Sequence, residues 1–212
     1  MKRTVRLGVM FALIGIAAAC GGKMDTPTSP SGSAPAGALV ALADVTLGLD
    51  VTSGQIGTFN YAGQSATAPA GTFDHVTFQF YTFQKTPAAF GTLYLLDREF
   101  LGLPTDLSPA MPGFIARSES NTGGVYVFAP EVTLEGGKQY WFYTDTQGSF
   151  ASSFDTDLYS GGDLYVTGIN SFPFHKASAS GRMVGNTYVP PPAGVFLDAN
   201  FKLQGRQKGA SQ

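Results

Sequence analysis

The sequence predicts an all-β protein, a two-sheet antiparallel sandwich of jelly-roll type in a single domain. Three observations carry that expectation. Short stretches in which apolar and polar residues alternate with a period of two recur along the chain, the clearest being His75–Lys85 (HVTFQFYTFQK) and Val195–Leu203. Turn-forming residues separate these stretches, with 27 glycines and 13 prolines in 212 residues. No apolar run at helical spacing is long enough to support a bundle or alternating βαβ units. Composition agrees: 17 phenylalanines and 9 tyrosines suit sheets, and charged residues make up only 13%, about half the usual share.

Taken in order, the folded part opens with a half-buried strand pattern in which Val45, Leu47 and Leu49 alternate with Thr46, Gly48 and Asp50. A short strand follows at Ile56–Tyr61, and the small, polar stretch Gly63–Gly71 reads as a loop. In the next strand Val76, Phe78 and Phe80 share one face, with His75, Thr77, Gln79 and Tyr81 on the other. Gly91–Asp97 (GTLYLLD) sets Leu93 and Leu95 against Tyr94 and Leu96. Glu99–Pro112 is a long connection tucked down by Leu101, Leu103 and Leu107, and Phe114–Ser118 reads as a further strand.

Val125–Thr146 (VYVFAPEVTLEGGKQYWFYTDT) reads as a central hairpin. Pro130 cannot donate to a ladder and marks a strand end or edge, and Glu135-Gly136-Gly137-Lys138 turns the chain. Tyr140, Phe142 and Thr144 then face one way, and Trp141, Tyr143 and Asp145 the other. Rings on both faces imply a core on one side and a cover on the other, with Trp141, the sole tryptophan, packed. Asp163–Thr167 is a short strand and Gly168–Pro192 is loop-rich. The closing strand Val195–Leu203 turns Val195, Leu197, Ala199, Phe201 and Leu203 inward and Asp198, Asn200 and Lys202 outward, and its clean alternation suits a strand paired within a sheet. The chain from Gly205 reads as a frayed tail, so the domain is bounded at 38–205 and the tail at 206–212.

The N-terminus reads as an address. Lys2, Arg3 and Arg6 precede an apolar run, Leu7–Ala19, that is too short for a membrane span. The run ends in Ala17-Ala18-Ala19-Cys20-Gly21, which resembles a bacterial lipoprotein signal: residues 1–19 are removed and Cys20 is acylated as the new N-terminus. The family usually has Leu three residues before the cysteine, where this chain has Ala17. The alternative is an ordinary secretory peptide cleaved near Ala19 that leaves Cys20 as a thiol. Cys20 is the only cysteine, so it has no disulfide partner within the chain, and an attachment role fits it. Each buried CH2 of an acyl chain contributes about 0.8 kcal/mol to anchoring. Gly21 stands where the family's inner-membrane retention signal places Asp, which implies the outer membrane in a Gram-negative source. Residues 20–37 (CGGKMDTPTSPSGSAPAG) form a flexible tether.

Cleavage would leave ten basic residues against 15 acidic ones, a mature chain near −5. With no basic patch to neutralise phosphates, nucleic acid is excluded as a partner class. The remaining partners are the membrane, through the lipid, and a glycan or an envelope protein.

The order of the pieces resembles the choice-of-anchor domains, a family of bacterial secreted β-sandwich modules. The resemblance rests on the aromatic strand Val76–Phe83, GTLYLLD, the segment VYVFAPEVTLEGGKQYWFYTD, Tyr159-Ser160-Gly161-Gly162 and Asp198–Leu203, and spans about Gly57–Gly205. It implies a non-catalytic exported module attached by interchangeable anchors.

Candidate chemistry is sparse. His75 and His175 lie in different contexts, and neither a G-x-S-x-G elbow nor an H-E-x-x-H motif is present, so solvated or structural histidines are the favoured reading over a hydrolase site. Fifteen acidic residues make some carboxylate pair inevitable, which carries no specificity for glycoside hydrolysis. Asp155, Asp157 and Asp163 in SFDTDLYSGGD are spaced to offer oxygens to Ca2+, against the plainer alternative of Asx turns. Phe150, Phe154, Tyr159, Tyr165, Phe172 and Phe174 lie in or beside loops, where rings stack on sugars in sandwich lectins; the favoured alternative is that they plug the ends of the sandwich. The expected function is an exported, lipid-anchored, non-catalytic binding or structural module. Glycan is the preferred ligand, and an adhesion component or an envelope hydrolase are the alternatives.

Overall fold

Short strands that alternate in character must bury one face each, and here they do so in two antiparallel sheets packed together. The computed structural model describes residues 37–46, 56–82, 84–88, 90–119, 123–129, 132–153, 156–179, 182–184, 187–190 and 193–209. Cys20, the signal and the tether up to residue 36 lie outside them, as do Phe154 and Asp155.

The first sheet is built on β3 (Thr72–Tyr81). One edge of β3 pairs with β15 (Phe201–Gln207), which pairs in turn with β1 (Leu39–Asp44). The other edge takes three two-residue strands in succession: β4 (Pro87–Ala88), β7 (Tyr126–Val127) and β8 (Leu134–Glu135). The second sheet is ordered β12 (His175–Lys176), β11 (Leu164–Thr167), β2 (Ile56–Thr67), β9 (Gln139–Thr144), β5 (Thr92–Leu96) and β6 (Phe114–Glu119). β10 (Gly148–Ser152) continues along β2 beyond the end of β9, and β13 (Arg182–Val184) and β14 (Thr187–Val189) form a separate ribbon. A 3-10 turn at Pro104–Asp106 lies in the long connection after β5.

Four expectations are corrected. Val125–Thr146 is not a hairpin: β7 and β8 pair with β3 in the first sheet, whereas β9 pairs with β2 and β5 in the second. The chain arches between sheets at the two glycines. Gly136 N donates to Gly71 O at the start of β3, and one residue later Gly137 N donates to Ala68 O beyond the end of β2. A Cβ on Gly136 would lie 2.5 Å from Gly71 N, so only glycine lets the two connections run this close. Secondly, Gly63–Thr67 is strand rather than loop, the end of β2, and Gly63 leaves room for the Tyr143 ring. Thirdly, Asp198 and Asn200 are fully buried, not outward. Finally, β15 extends through Gln207, past the expected end at Gly205, because Arg206 forks onto the Asp74 carboxylate with bonds of 2.9 and 3.1 Å. Opposite Gly205 the β3 register shifts at His75, which takes up left-handed backbone (φ 50°). Of the opening pattern, Val45 is buried beside β1, and Leu47 and Leu49 lie outside the described residues.

The core between the sheets is aromatic. Phe78 of β3 stacks on Phe142 of β9 across the interface (4.4 Å between centroids) and on Phe201 of β15 within its own sheet (5.5 Å). Phe80, Phe90 and Phe150 continue the cluster edge-on. Phe90 lies directly over Gly148, where an added Cβ would fall 1.3 Å from its ring.

That contact gives a first prediction. Gly148→Ala will destabilise the protein by about 3 kcal/mol through overpacking, read from urea unfolding midpoints. Phe90→Leu, costly alone, will cost less in the Gly148→Ala background; equal costs in both backgrounds would show that the two residues do not share the space.

Candidate functional site

The outer face of the second sheet is where the chain departs from a simple sandwich. One row across it runs Lys176, Tyr165, Gly63, Tyr143, Tyr94 and Arg117, each facing its neighbour through strand pairing. Gly63 is the gap in that row. A Cβ there would sit 2.4 Å from Tyr143 Cδ1, so the Tyr143 ring lies across β2 and meets Tyr165 edge-on at 5.5 Å. Phe100 and Phe174 close over Tyr143, and Phe174 N binds Gly102 O, tying the segment after β11 to the connection after β5. Together with Leu96 and Leu107 these rings form a second apolar cluster outside the main core. Tyr143 OH accepts from Phe100 N (3.1 Å), and burial pushes its hydroxyl well above the ordinary tyrosine range.

At the margin of this cover the groups become polar. Trp141, in the next outer row of β9, is half-buried, and its Nε1 donates to Tyr165 OH (3.2 Å). Tyr165 OH donates to Glu99 Oε1 (2.8 Å); burial first, with the Glu99 carboxylate adding to it, pushes this tyrosine up to about 12. Lys176 Nζ bonds Asp163 Oδ2 at 2.9 Å, lies 3.9 Å from Glu99 Oε1, and sits over the Tyr165 and Phe196 rings. The Asp163 carboxylate holds the lysine's ammonium above the usual lysine range. Beside Trp141, Gln139 Nε2 donates to Ser65 Oγ, which also accepts from Asp163 N.

The rings weighed as sugar-stacking candidates against the favoured packing role divide as follows. Phe150, Tyr165 and Phe174 are buried: Phe150 belongs to the main core, Tyr165 and Phe174 to the outer cluster. Tyr159 is half-buried edge-on to Phe201 and plugs the sandwich, its hydroxyl bonded to both Thr67 N and Thr67 O. Phe172 alone of the five described is open, at 61% exposure. Of the aspartates, Asp157 accepts from Tyr159 N in an Asx turn and Asp163 is paired to Lys176. Among the described residues no three His, Cys, Asp or Glu side chains gather within metal-binding reach. His75 Nδ1 lies 3.0 Å from Asp74 in the first sheet, while His175 is exposed on β12 in the second.

Two groupings escaped sequence reasoning. One is the Trp141–Tyr165–Glu99–Lys176 chain, whose members are spread over four segments. The other is a buried network at Asp198. Residues 196–200 carry the chain from the second sheet into β15: Leu164 N binds Leu197 O, and Asn200 N binds Ala151 O. Asp198 Oδ2 there accepts from Leu158 N and Tyr159 N (both 2.9 Å), and Oδ1 accepts from Gln64 Nε2 (3.1 Å). Gln64 Oε1 accepts from Ala199 N, and Ser153 Oγ from Asp198 N. Burial pushes the Asp198 carboxyl up to about 8, against the three N–H donors that hold it down.

Comparison of the chain with family models, with curated proteins and with solved structures returned no match.

Two carboxylates set opposite pH dependences. The folded state holds the Asp198 proton more tightly than the unfolded chain does, so its contribution declines as pH rises from the ordinary carboxylate range through about 8. Asp74 is held below its ordinary 3.8, first by its bonds to Arg206, so its contribution is present above that value and is lost on acidification below it. In thermal melts from pH 2 to 9, Asp198→Asn will flatten the alkaline limb and Asp74→Asn the acid limb. Asp198→Ala will cost about 2 kcal/mol at pH 7, because it takes the acceptor from Leu158 N and one of two acceptors from Tyr159 N, and leaves Gln64 Nε2 without its carboxylate partner. An unchanged alkaline limb in Asp198→Asn would show that Asp198 does not titrate there.

Proposed function

We propose that this chain is an exported, lipid-anchored, non-catalytic β-sandwich module that binds extracellular glycan on the outer face of its second sheet. Trp141 carries the reading. A half-buried indole on a central strand, oriented by its bond to Tyr165, offers part of a flat apolar surface beside Gln139, Glu99 and Lys176. Pyranoses present an apolar face and a rim of hydroxyls, so a ring beside fixed donors and acceptors matches both. Gln139 and Trp141 stand on β9, Tyr165 on β11 and Lys176 on β12, and side chains held by strands lower the ordering cost of binding. The anchor reading rests on Cys20 and the signal before it. No cofactor is part of the reading; Ca2+ at Asp155, Asp157 and Asp163 is the alternative to Asx turns, and the test carries an arm for it.

The full-length chain in detergent, applied to a glycan array with Ca2+ and again with chelator, will retain at least one glycan class, and Trp141→Ala will abolish retention while the protein stays folded. Loss of binding in chelator alone would assign Ca2+ a part. An empty array in both conditions rules the reading out. Cys20→Ser will release the protein from the membrane fraction and remove the mass of the acyl chains; a variant that stays membrane-bound refutes the anchor.

A second reading, a protein-contact role in adhesion, draws on Leu101, Ile169 and Phe172, which expose 52%, 47% and 61% of their surface. Phe174 N bound to Gly102 O brings their segments together.

A further inference from the structure

Three charged side chains meet at the Trp141 margin, and only two of them are hydrogen-bonded to each other. Lys176 Nζ is within bonding distance of Asp163 Oδ2 at 2.9 Å; its separation of 3.9 Å from Glu99 Oε1 is beyond hydrogen-bond length. The hydrogen bond made to the Glu99 carboxylate comes from a neutral phenol, Tyr165 OH at 2.8 Å, and among the described residues Oε2 has no protein partner. The side chain is 39% exposed and therefore open to a ligand. Two negative charges against one positive leave the patch acidic.

Resting on the glycan reading, we infer that the saccharide bound here carries a free amine, and that Glu99 is the residue that selects it. Two hydrogen bonds of 3.2 and 2.8 Å separate the indole nitrogen from the Glu99 carboxylate. Both bonds meet at Tyr165 OH, so the two groups lie no farther apart than those lengths combined, within the reach of a single sugar residue. An amino sugar stacked on Trp141 therefore places an ammonium within reach of Glu99, where it makes the charge-assisted bond that Lys176 is too far away to make. N-acetylation removes the positive charge and adds bulk, and a uronic acid brings a carboxylate against two others. Both are disfavoured by the same patch, the second more strongly.

Trp141 is the only tryptophan in the chain, so its emission reports on this site directly. The full-length chain in detergent is titrated at pH 6 with a glucosamine tetramer, its fully N-acetylated counterpart and a galacturonate tetramer. The glucosamine tetramer will bind about tenfold more tightly than the acetylated one, as expected for one bond to a charged group. The galacturonate tetramer will not bind. Glu99→Gln, which keeps an acceptor for Tyr165 OH, will bring the first two affinities together. Equal binding of all three, or a preference for the amine that survives Glu99→Gln, overturns the inference and leaves the glycan reading standing. If no saccharide moves the emission and the array is also empty, both fall.

Discussion

A chain that passes from one sheet to another inside a sandwich must find partners for every polar group it carries through the core, and Gln64 and Asp198 meet that demand here. Gln64 projects inward from β2, where an apolar residue would be the ordinary choice, and its amide binds Ala199 N with one end and the Asp198 carboxylate with the other. Asp198 passes the connection on to the backbone of Leu158 and Tyr159. Without this pair, Ala199 N and Leu158 N would lack acceptors at about 1–3 kcal/mol each, a direct cost to the crossing into β15. β15 is the central partner of β1 and β3, so the first sheet depends on the crossing.

Large rings make the second demand, and small residues meet it. Tyr143 needs the space over Gly63, Phe90 the space over Gly148, and the backbone of Ser65 the space beside Gly162, where a Cβ would lie 1.8 Å from the Ser65 carbonyl oxygen. Each glycine sits against a group from a distant part of the chain. Packing of this kind is set by pairs far apart in the chain, and it explains why a stretch such as Gly63–Thr67 is strand although its composition is that of a loop.

The same distinction separates what the sequence disclosed from what it hid. Alternation within a strand is local, so β3, β5, β6 and β11 and the inward set Val76, Phe78 and Phe80 were legible from residue types alone. Pairing is not local. Gly136-Gly137 has the chemistry of a hairpin turn and of an arch between sheets alike, and the close approach of Gly71 decides for the arch. Asp198 carried the polar signature of an outward position, and only its partners, 39 to 134 residues away in sequence, make it a buried one. Phe150, Tyr165 and Phe174 looked like loop rings because the strands and covers that bury them are formed with distant segments. For the candidate site, Trp141 stood out as the lone tryptophan but read as a packed ring, and Glu99 and Lys176 had no motif to join them to it.

The core network and the surface site are joined through one short segment. Asp198 fixes the backbone at Leu158 and Tyr159, Tyr159 OH is bonded to Thr67, and Thr67 Oγ1 donates to Gly161 O. Gly162 then packs against β2, and Asp163 N binds Ser65 Oγ. Asp163 emerges from this series of contacts in a fixed position, and it is Asp163 that draws Lys176 away from Glu99. The unevenly shared charge at the Trp141 margin is therefore a consequence of how the chain crosses between its sheets. Were the 158–163 segment free, Lys176 would divide itself between two carboxylates on a half-exposed surface, and neither would be left for a ligand.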